Sequence, residues 1–409
     1  MKELPFKIGS FIVAAATVFV FAGYAVAQES FLGQFENKSE VRYRSRVFVS
    51  DVDQLYAAVN DPQNAGRQIV AAPGVYMLSA NDSSGAARPN DGRLEFQVDM
   101  SLVGVVGDRS AVVINGINLP ATSFPRGPVP LGAIRLGHGH NAVEWLTVQD
   151  TRNGHANIVT GLTSTETQYV RIAHVASSGS GYGISILNFG TAPSVDADLV
   201  DNDLFDGAVG MKGGFRIRNS SGAPGKTIKA RLIGNRMWGN QLNIILNTAM
   251  TGGQIEVLSI GNSYFDNGNG LTIVGGLNSS DNTINFMGIG DSYTNNNAGS
   301  AFDRGGLVIV GGDKLTTTPL SNNNTVNATL VRCLFSGNDL WDLAAIGARS
   351  FLSSTGAPGV NNHVTLNIFG PIRGQGIVEF FADSVPPEYA DTNSVRVNRF
   401  NTGWQLARF

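Results

Sequence analysis

The hydrophobic pattern of this chain is one short phrase repeated. A small turn residue is followed by two apolar residues separated by a single other residue. The turn residue and first apolar residue fall at Ala133-Ile134, Asn157-Ile158, Gly183-Ile184, Gly214-Phe215, Asn243-Ile244, Gly270-Leu271, Gly306-Leu307 and Asp342-Leu343, with a ninth at Gly376-Ile377. The second apolar position reads Leu136, Thr160, Ile186, Ile217, Leu246, Ile273, Ile309 and Ala345. Alternation with period two over four or five residues predicts a strand and is too short for a helix. The turn residues are mostly Gly, Asn or Asp, which tolerate a left-handed backbone.

A second ladder of Ile and Val ends short strands at Val148, Val175, Val200, Ile233, Ile260, Ile289, Val331 and Phe369. Two residues after six of these stand Asp150, Ser177, Asn202, Asn235, Asn262 and Asp291, a polar turn ladder. A third ladder follows at Leu204, Met237, Tyr264, Tyr293 and Phe335. The first ladder steps at intervals of about 24 to 36 residues, and the others keep pace. Three short strands per repeat, without helices between them, predict an all-β solenoid in which each coil buries its inner face against its neighbours. An amide in a tight turn satisfies backbone groups that stacking would otherwise bury unpaired.

An open solenoid exposes core and strand edges at both ends, so each end needs a lid. Ser50-Asp51-Val52-Asp53 opens a helix of about residues 51–60, with Val52, Leu55, Tyr56 and Val59 on one face and Asn60-Asp61-Pro62 as its stop. It reads as the N-terminal cap. Residues 384–409 are expected to fold back as the other cap. Polar insertions at 80–92, 120–130, 313–324 and 349–362 are expected to build walls along the coils.

The three-strand coils, the asparagine turn ladder and the segment Gln68–Leu78, QIVAAPGVYML, resemble the right-handed parallel β-helix proteins of the pectate-lyase-like superfamily. The resemblance runs from about Val47 to the C-terminus. It implies a right-handed parallel β-helix of about eight to ten coils with a short N-terminal capping helix, in one domain over residues 47–409. It says little about function, because the fold hosts lyases, hydrolases, esterases, epimerases and non-enzymes.

Composition narrows the setting. Two lysines in MKELPFK, an apolar run from Ile8 to Ala25 and the small-x-small site Ala25-Val26-Ala27 read as a signal peptide over residues 1–27. Residues 28–46 follow as an extended lead-in. No later apolar run reaches the ~20 residues that span a bilayer, so no membrane span is expected after cleavage. The expected location is secreted or periplasmic. Cys333 is the single cysteine, so no internal disulfide forms, and stability must come from burial and hydrogen bonding. A net charge of −3 argues against a nucleic-acid partner.

Candidate chemistry lies where the repeat breaks its own rule. The outward position of the first ladder reads Arg135, Val159, Ser185, Arg216, Ile245, Thr272, Val308 and Ala344. Gly214–Arg218 places Arg216 and Arg218 on the outer face, and Lys212 precedes them. Basic groups there suit the carboxylate of an acidic sugar. The resemblance to polysaccharide lyases further implies an Arg or Lys as base for β-elimination. Asp201 and Asp203 fall on one face and suit either Ca²⁺ or an acid/base pair, although turn chemistry explains them too. Catalytic candidates are therefore Lys212, Arg216, Arg218, Asp201 and Asp203. His138-Gly139 and Arg216-Ile217-Arg218 resemble two elements of the polygalacturonate hydrolases, but their order is reversed and a paired-aspartate motif is missing, so no role carries over. His138, His140, His155 and His174 have no assigned role; His138 and His140 make at most an incomplete metal pair. Thr272, Val274, Val308 and Val310 are expected to form an apolar outer strip that a loop, a partner or a second subunit of a homo-oligomer covers. Two readings stand: a β-helix that binds or processes an acidic polysaccharide as a lyase or glycoside hydrolase, or a non-catalytic surface, adhesion or structural solenoid.

Overall fold

The computed structural model describes residues 45–120, 132–151, 156–160, 165–189, 192–207, 213–220, 224–297, 305–314, 321–350, 359–370, 377–380, 392–400 and 406–408. Lys212, His155 and the proposed signal peptide and lead-in up to residue 44 lie outside them. The described strands form three parallel sheets of twelve, nine and eleven strands. Each coil runs from sheet 1 (the twelve-stranded one) through a short turn to sheet 2 (nine strands), through a second turn to sheet 3 (eleven strands), and back. Nine coils contribute to all three. This is a parallel β-helix, right-handed as connections between parallel strands of one sheet are.

The inner faces meet in one continuous aliphatic core running from Val49 to Ile368. The third sequence ladder lies wholly within it: Leu204 pairs with Met237, then Tyr264, Tyr293 and Phe335, all fully buried. The tyrosine rings stack at 4.8 Å and Tyr293 on Phe335 at 4.9 Å. The expected capping helix spans Val52–Asn60. Asp51 caps it by accepting from the Gln54 N–H, and Leu55, Tyr56, Ala58 and Val59 are its buried face. At the far end the described parts are strands, Ser394–Phe400 in sheet 1 and Leu406–Arg408 in sheet 3.

Asparagines line all three turns. At turn 1 the N–H of Asn202 donates to Asn235 Oδ1, Asn235 to Asn262 and Asn262 to Asp291, at 2.8–3.0 Å. Turn 2 repeats this with Asn240, Asn267, Asn296 and Asn338, and turn 3 with Asn282, Asn324, Asn362 and Asn393. Most of these amides also donate to a main-chain carbonyl, as Asn324 does to Ser279 O at 2.9 Å; Asn282 donates to the Ser279 hydroxyl instead. The glycine pairs that close the first-ladder phrase make room for the turn 3 amides. A Cβ on Gly276 would stand 2.5 Å from the Asn324 side chain, and one on Gly312 would stand 2.7 Å from Asn362.

Three ladder assignments are corrected. Val148 belongs to sheet 2, paired with Ile114 and Ser177, and Ser177 in turn pairs with Leu204. Asp150 and Ser177 are therefore not members of the turn 1 amide ladder. Val175 occupies that ladder's position instead, donating its N–H to Asn202 Oδ1. The third correction is at Ile244. Pairing slips by one residue between Gly213 and Arg216, and a one-residue slip exchanges the two faces. Ile245 thus enters the core, and Ile244 lies outside beside Arg216. Asn243 closes the bulge, accepting from Phe215 N–H and donating to Gly270 O.

Candidate functional site

The outer face of sheet 3 was expected to carry an apolar strip covered by a loop, a partner or a second subunit; the strip is buried within the chain itself. Val308 and Val310 are 0% exposed and form a second apolar cluster with Ala344 and Ile346, while Ala156, Val159, Tyr182 and Leu187 form a third. Thr272 and Val274 are buried as well. No free apolar strip is therefore left among these residues to hold a homo-oligomer. Sheet 3 carries apolar residues on both faces, as parallel sheets covered on both sides do.

Within this face two arginines lie on aromatic rings. Arg216 stacks over Tyr182 at 4.4 Å and Arg218 over Phe189 at 5.1 Å. Gly213 leaves the space for the Tyr182 ring, which a Cβ would meet at 2.2 Å. Arg218 is half-buried and donates to Ser220 Oγ at 3.1 Å. Arg216 is only 9% exposed. Among the described residues no carboxylate pairs with it, and its Nε makes no hydrogen bond. Burial pulls its pKa down and Tyr182 opposes that; burial pushes the Tyr182 phenol up. A buried charge without an ion-pair partner is costly unless a ligand completes it.

The neighbouring basic position is already complete. Arg135 stands three rungs before Arg216 in the same outward column, roughly 14 Å away at strand spacing. Its Nη1 lies 2.9 Å from Glu95 Oε2. The His138 imidazole, whose Nε2 lies 3.9 Å from Glu95 Oε1, together with Arg135 holds the Glu95 carboxyl below its ordinary range. His140 turns to a different carboxylate, Asp99 at 3.3 Å, and stacks on Tyr169. The two histidines of GHGH therefore do not converge on one metal position.

Asp201 and Asp203 do converge, but not on Arg216. Asp201 sits in turn 1 and Asp203 starts a strand of sheet 2, whereas Arg216 and Arg218 lie on sheet 3. The structure thus corrects the grouping of these four residues into one site. Arg109 pairs with Asp201 at 2.8 Å and Asp203 at 3.2 Å. His174 Nδ1 is 2.9 Å from Asp201 Oδ2, and Arg236 makes a two-pronged pair with Asp203 at 2.6 and 2.7 Å. Each carboxylate already faces cationic or imidazole partners, so the pair does not suit Ca²⁺, which needs six or more oxygen ligands. No cluster of three or more metal-ligating side chains occurs among the described residues.

Sequence reasoning missed Tyr182, Phe189, Glu95 and Arg109. Tyr182 was recoverable, since it heads the strand one rung before the arginines. Arg109 was not, because it meets a carboxylate 92 positions away.

No family model matches the sequence, and no curated protein matches it in sequence. Three solved structures are similar in chain path. The A-module of a mannuronan C-5 epimerase from Azotobacter vinelandii has a TM-score of 0.47 at 13% identity, covering 88% of this chain and 98% of that one. The A-module of another A. vinelandii mannuronan C-5 epimerase has a TM-score of 0.41 at 16% identity, covering 87% and 89%. A pectate lyase has a TM-score of 0.40 at 13% identity, covering 85% and 80%.

Proposed function

We propose that this protein is an exported β-helix that binds an acidic polysaccharide, with a uronate carboxylate held by Arg216 on the outer face of sheet 3. The observation that carries this reading is the buried Arg216 guanidinium, stacked on Tyr182 and, among the described residues, without a carboxylate of its own. A planar guanidinium takes a carboxylate through two parallel hydrogen bonds, which fixes orientation as well as charge. Arg135 is neutralised by Glu95, so Arg216 is the position where a ligand anion adds most. Arg218, half-buried beside it, supplies a second positive charge. Processing of the lyase type would use the same place: a carboxylate neutralised by arginine makes the proton on the adjacent carbon easier to remove. Lys212 and Tyr182 are the candidate proton-transfer groups. Export rests on the N-terminal sequence pattern.

The test uses the full mature chain against polygalacturonate, alginate and an uncharged glucan, with and without Ca²⁺. Binding is followed by calorimetry, and cleavage by ultraviolet absorbance of unsaturated products and by reducing ends. Uronate polymers should bind, the glucan should not compete with them, and Arg216→Ala should weaken uronate binding at least tenfold while Arg216→Lys keeps part of it. Equal uronate binding by wild type and Arg216→Ala would refute the assignment. Uronate binding without product would leave a binding protein rather than a lyase.

A further inference from the structure

Burial around Arg216 decides how a ligand can reach it. All seven residues of the preceding strand, Tyr182–Asn188, are buried, those on the outer face included. In the outward column Val159 and Ser185 stand before Arg216 at 0% exposure; Thr272 and Val308, beyond Ile244, are at 1% and 0%. A polymer lying along the coils needs a path open over several rungs, each about 4.8 Å from the next. This column offers none. The partly exposed groups bordering Arg216 are Ile244, Arg218 and, against Arg218, Phe189. That opening coincides with the backbone slip between Gly213 and Arg216. Bulges recur beside functional sites because they re-aim a side chain.

Behind the opening stands a second unused polar group. Ser185 pairs with Arg216 on the adjacent strand. Its Oγ has no hydrogen-bond partner, and neither has the Arg216 Nε. Other hydroxyls on and beside sheet 3 are satisfied. Thr160 bonds both the N–H and the carbonyl of Leu187, Ser220 accepts from Arg218, and Thr272 accepts from Asn269.

The frame around the two groups is apolar: Val159, Tyr182, Leu187 and Ile244 belong to one cluster. A polar group left unbonded in such a place bears its full desolvation cost, and a guanidinium more than a hydroxyl. One ligand that brings an oxyanion to Arg216 and a hydroxyl to Ser185, side by side, removes both costs. A mainly apolar wall with a few convergent polar groups is also the usual make-up of a small-ligand site.

We infer that Arg216 and Ser185 form a closed pocket for the single uronate at the non-reducing end of a chain, rather than a groove for chain interiors. This rests on the uronate assignment to Arg216. The carboxylate lies on Arg216 and the neighbouring ring hydroxyl on Ser185 Oγ. The rest of the chain leaves past Ile244 and Arg218, whose charge meets the next carboxylate. In polygalacturonate and alginate the ring carbon beside the carboxylate-bearing one carries the glycosidic link inside the chain. Only at the non-reducing end does it carry a free hydroxyl. A carboxylate with a hydroxyl on the adjacent ring carbon therefore marks that end.

The test counts ends. The full mature chain is titrated by calorimetry with long and short fractions of polygalacturonate and of alginate at equal mass. The short fraction should reach half-saturation at a lower mass, in proportion to its greater number of ends. Reducing the opposite end of an oligomer to an alditol should change nothing. Oligomers whose non-reducing residue is unsaturated lack the hydroxyl in question, and should bind about tenfold more weakly, as one lost hydrogen bond predicts. Ser185→Ala should lose the same factor on saturated oligomers and no longer distinguish the two kinds. Its Tm should be unchanged or higher, because the free protein loses only an unbonded hydroxyl. Three results would overturn the inference and leave the uronate assignment standing, provided Arg216→Ala abolishes binding: equal half-saturation by mass, equal binding of saturated and unsaturated oligomers, or wild-type behaviour of Ser185→Ala. A lower Tm with discrimination retained would mark Ser185 as structural and count against it too. Binding that survives Arg216→Ala, or no binding at all, would remove both.

Discussion

Asp291 occupies an asparagine's place in the turn 1 ladder, wholly inside the protein. Its Oδ1 accepts from the Asn262 N–H at 2.8 Å and from Asn262 Nδ2 at 3.2 Å, and its Oδ2 has no partner. Burial pushes its pKa from 3.8 to about 7, against smaller opposing contributions from Ser259 and Asn262. The sign follows from linkage. Below about pH 4 the acid is protonated in both folded and unfolded chains, and its contribution is fully present. Between about pH 4 and 7 the unfolded chain releases the proton and the folded one does not, so stability falls. Moving the acid from 3.8 to about 7 makes the loss ~4 kcal/mol by pH 8, at 1.36 kcal/mol for each tenfold change in proton affinity. Asp291→Asn removes it. In the ladder Asn235 and Asn262 donate to Leu199 O and Leu232 O, and the same register gives an amide at 291 the carbonyl of Ser259. Urea unfolding of wild type and variant across pH 4 to 8.5 should show curves that nearly coincide in acid and separate by up to ~4 kcal/mol in base, the variant being more stable. Depressed carboxylates such as Glu95 cancel in the difference. A separation that does not change with pH, or a variant less stable at pH 8, would refute the assignment of a buried neutral acid.

Asn324→Ala should cost about 3 kcal/mol, because Asn282 N–H and Nδ2 lose their acceptor and Ser279 O its donor inside the protein; differential denaturation measures it. Gly276→Ala should destabilise by a comparable amount, since its Cβ would fall 2.4 Å from Ser279 O and 2.5 Å from the Asn324 side chain; an unchanged Tm would contradict the close approach. Arg216→Met should leave the Tm equal or higher while uronate binding disappears, a separation of stability from function that a merely structural arginine would not give. Asp203→Asn should weaken Arg236 and Arg109 pairing with a stability change below ~1 kcal/mol, because Arg236 is largely exposed.

The architecture was legible because it repeats. Two apolar residues per strand, in register over successive coils, leave a period that no single tertiary accident hides. The turn 1 amides were read directly, and the other two ladders were equally present: an asparagine stands three residues after Met237, Tyr264, Tyr293 and Phe335, and another precedes the strands that start at Thr283, Thr325, His363 and Ser394. The bulge at Gly213–Arg216 was not legible, because Ile244 and Ile245 are equally apolar and only pairing decides which turns inward. The candidate sites were hardest. Asp201 lies 15 positions from Arg216 in sequence, yet a sheet and two turns separate them in the coil. Arg109 is far away in sequence and touches both aspartates. Closeness along a solenoid chain is a poor guide to closeness in space, since each sheet faces a different way.

The reach of Arg109 also sets how the molecule comes apart. Stacked coils interact mainly with their nearest neighbours, so such proteins tend to fray one coil at a time from their ends. Arg109 leaves turn 1 of one coil and clips to Asp201 and Asp203 three coils further on, with its carbonyl accepting from Thr147 Oγ between. The coils it spans must open together or lose the clip. Unravelling should therefore have a direction: the C-terminal coils peel off singly, while the N-terminal coils, lidded by the helix and clipped by Arg109, form the last block to let go.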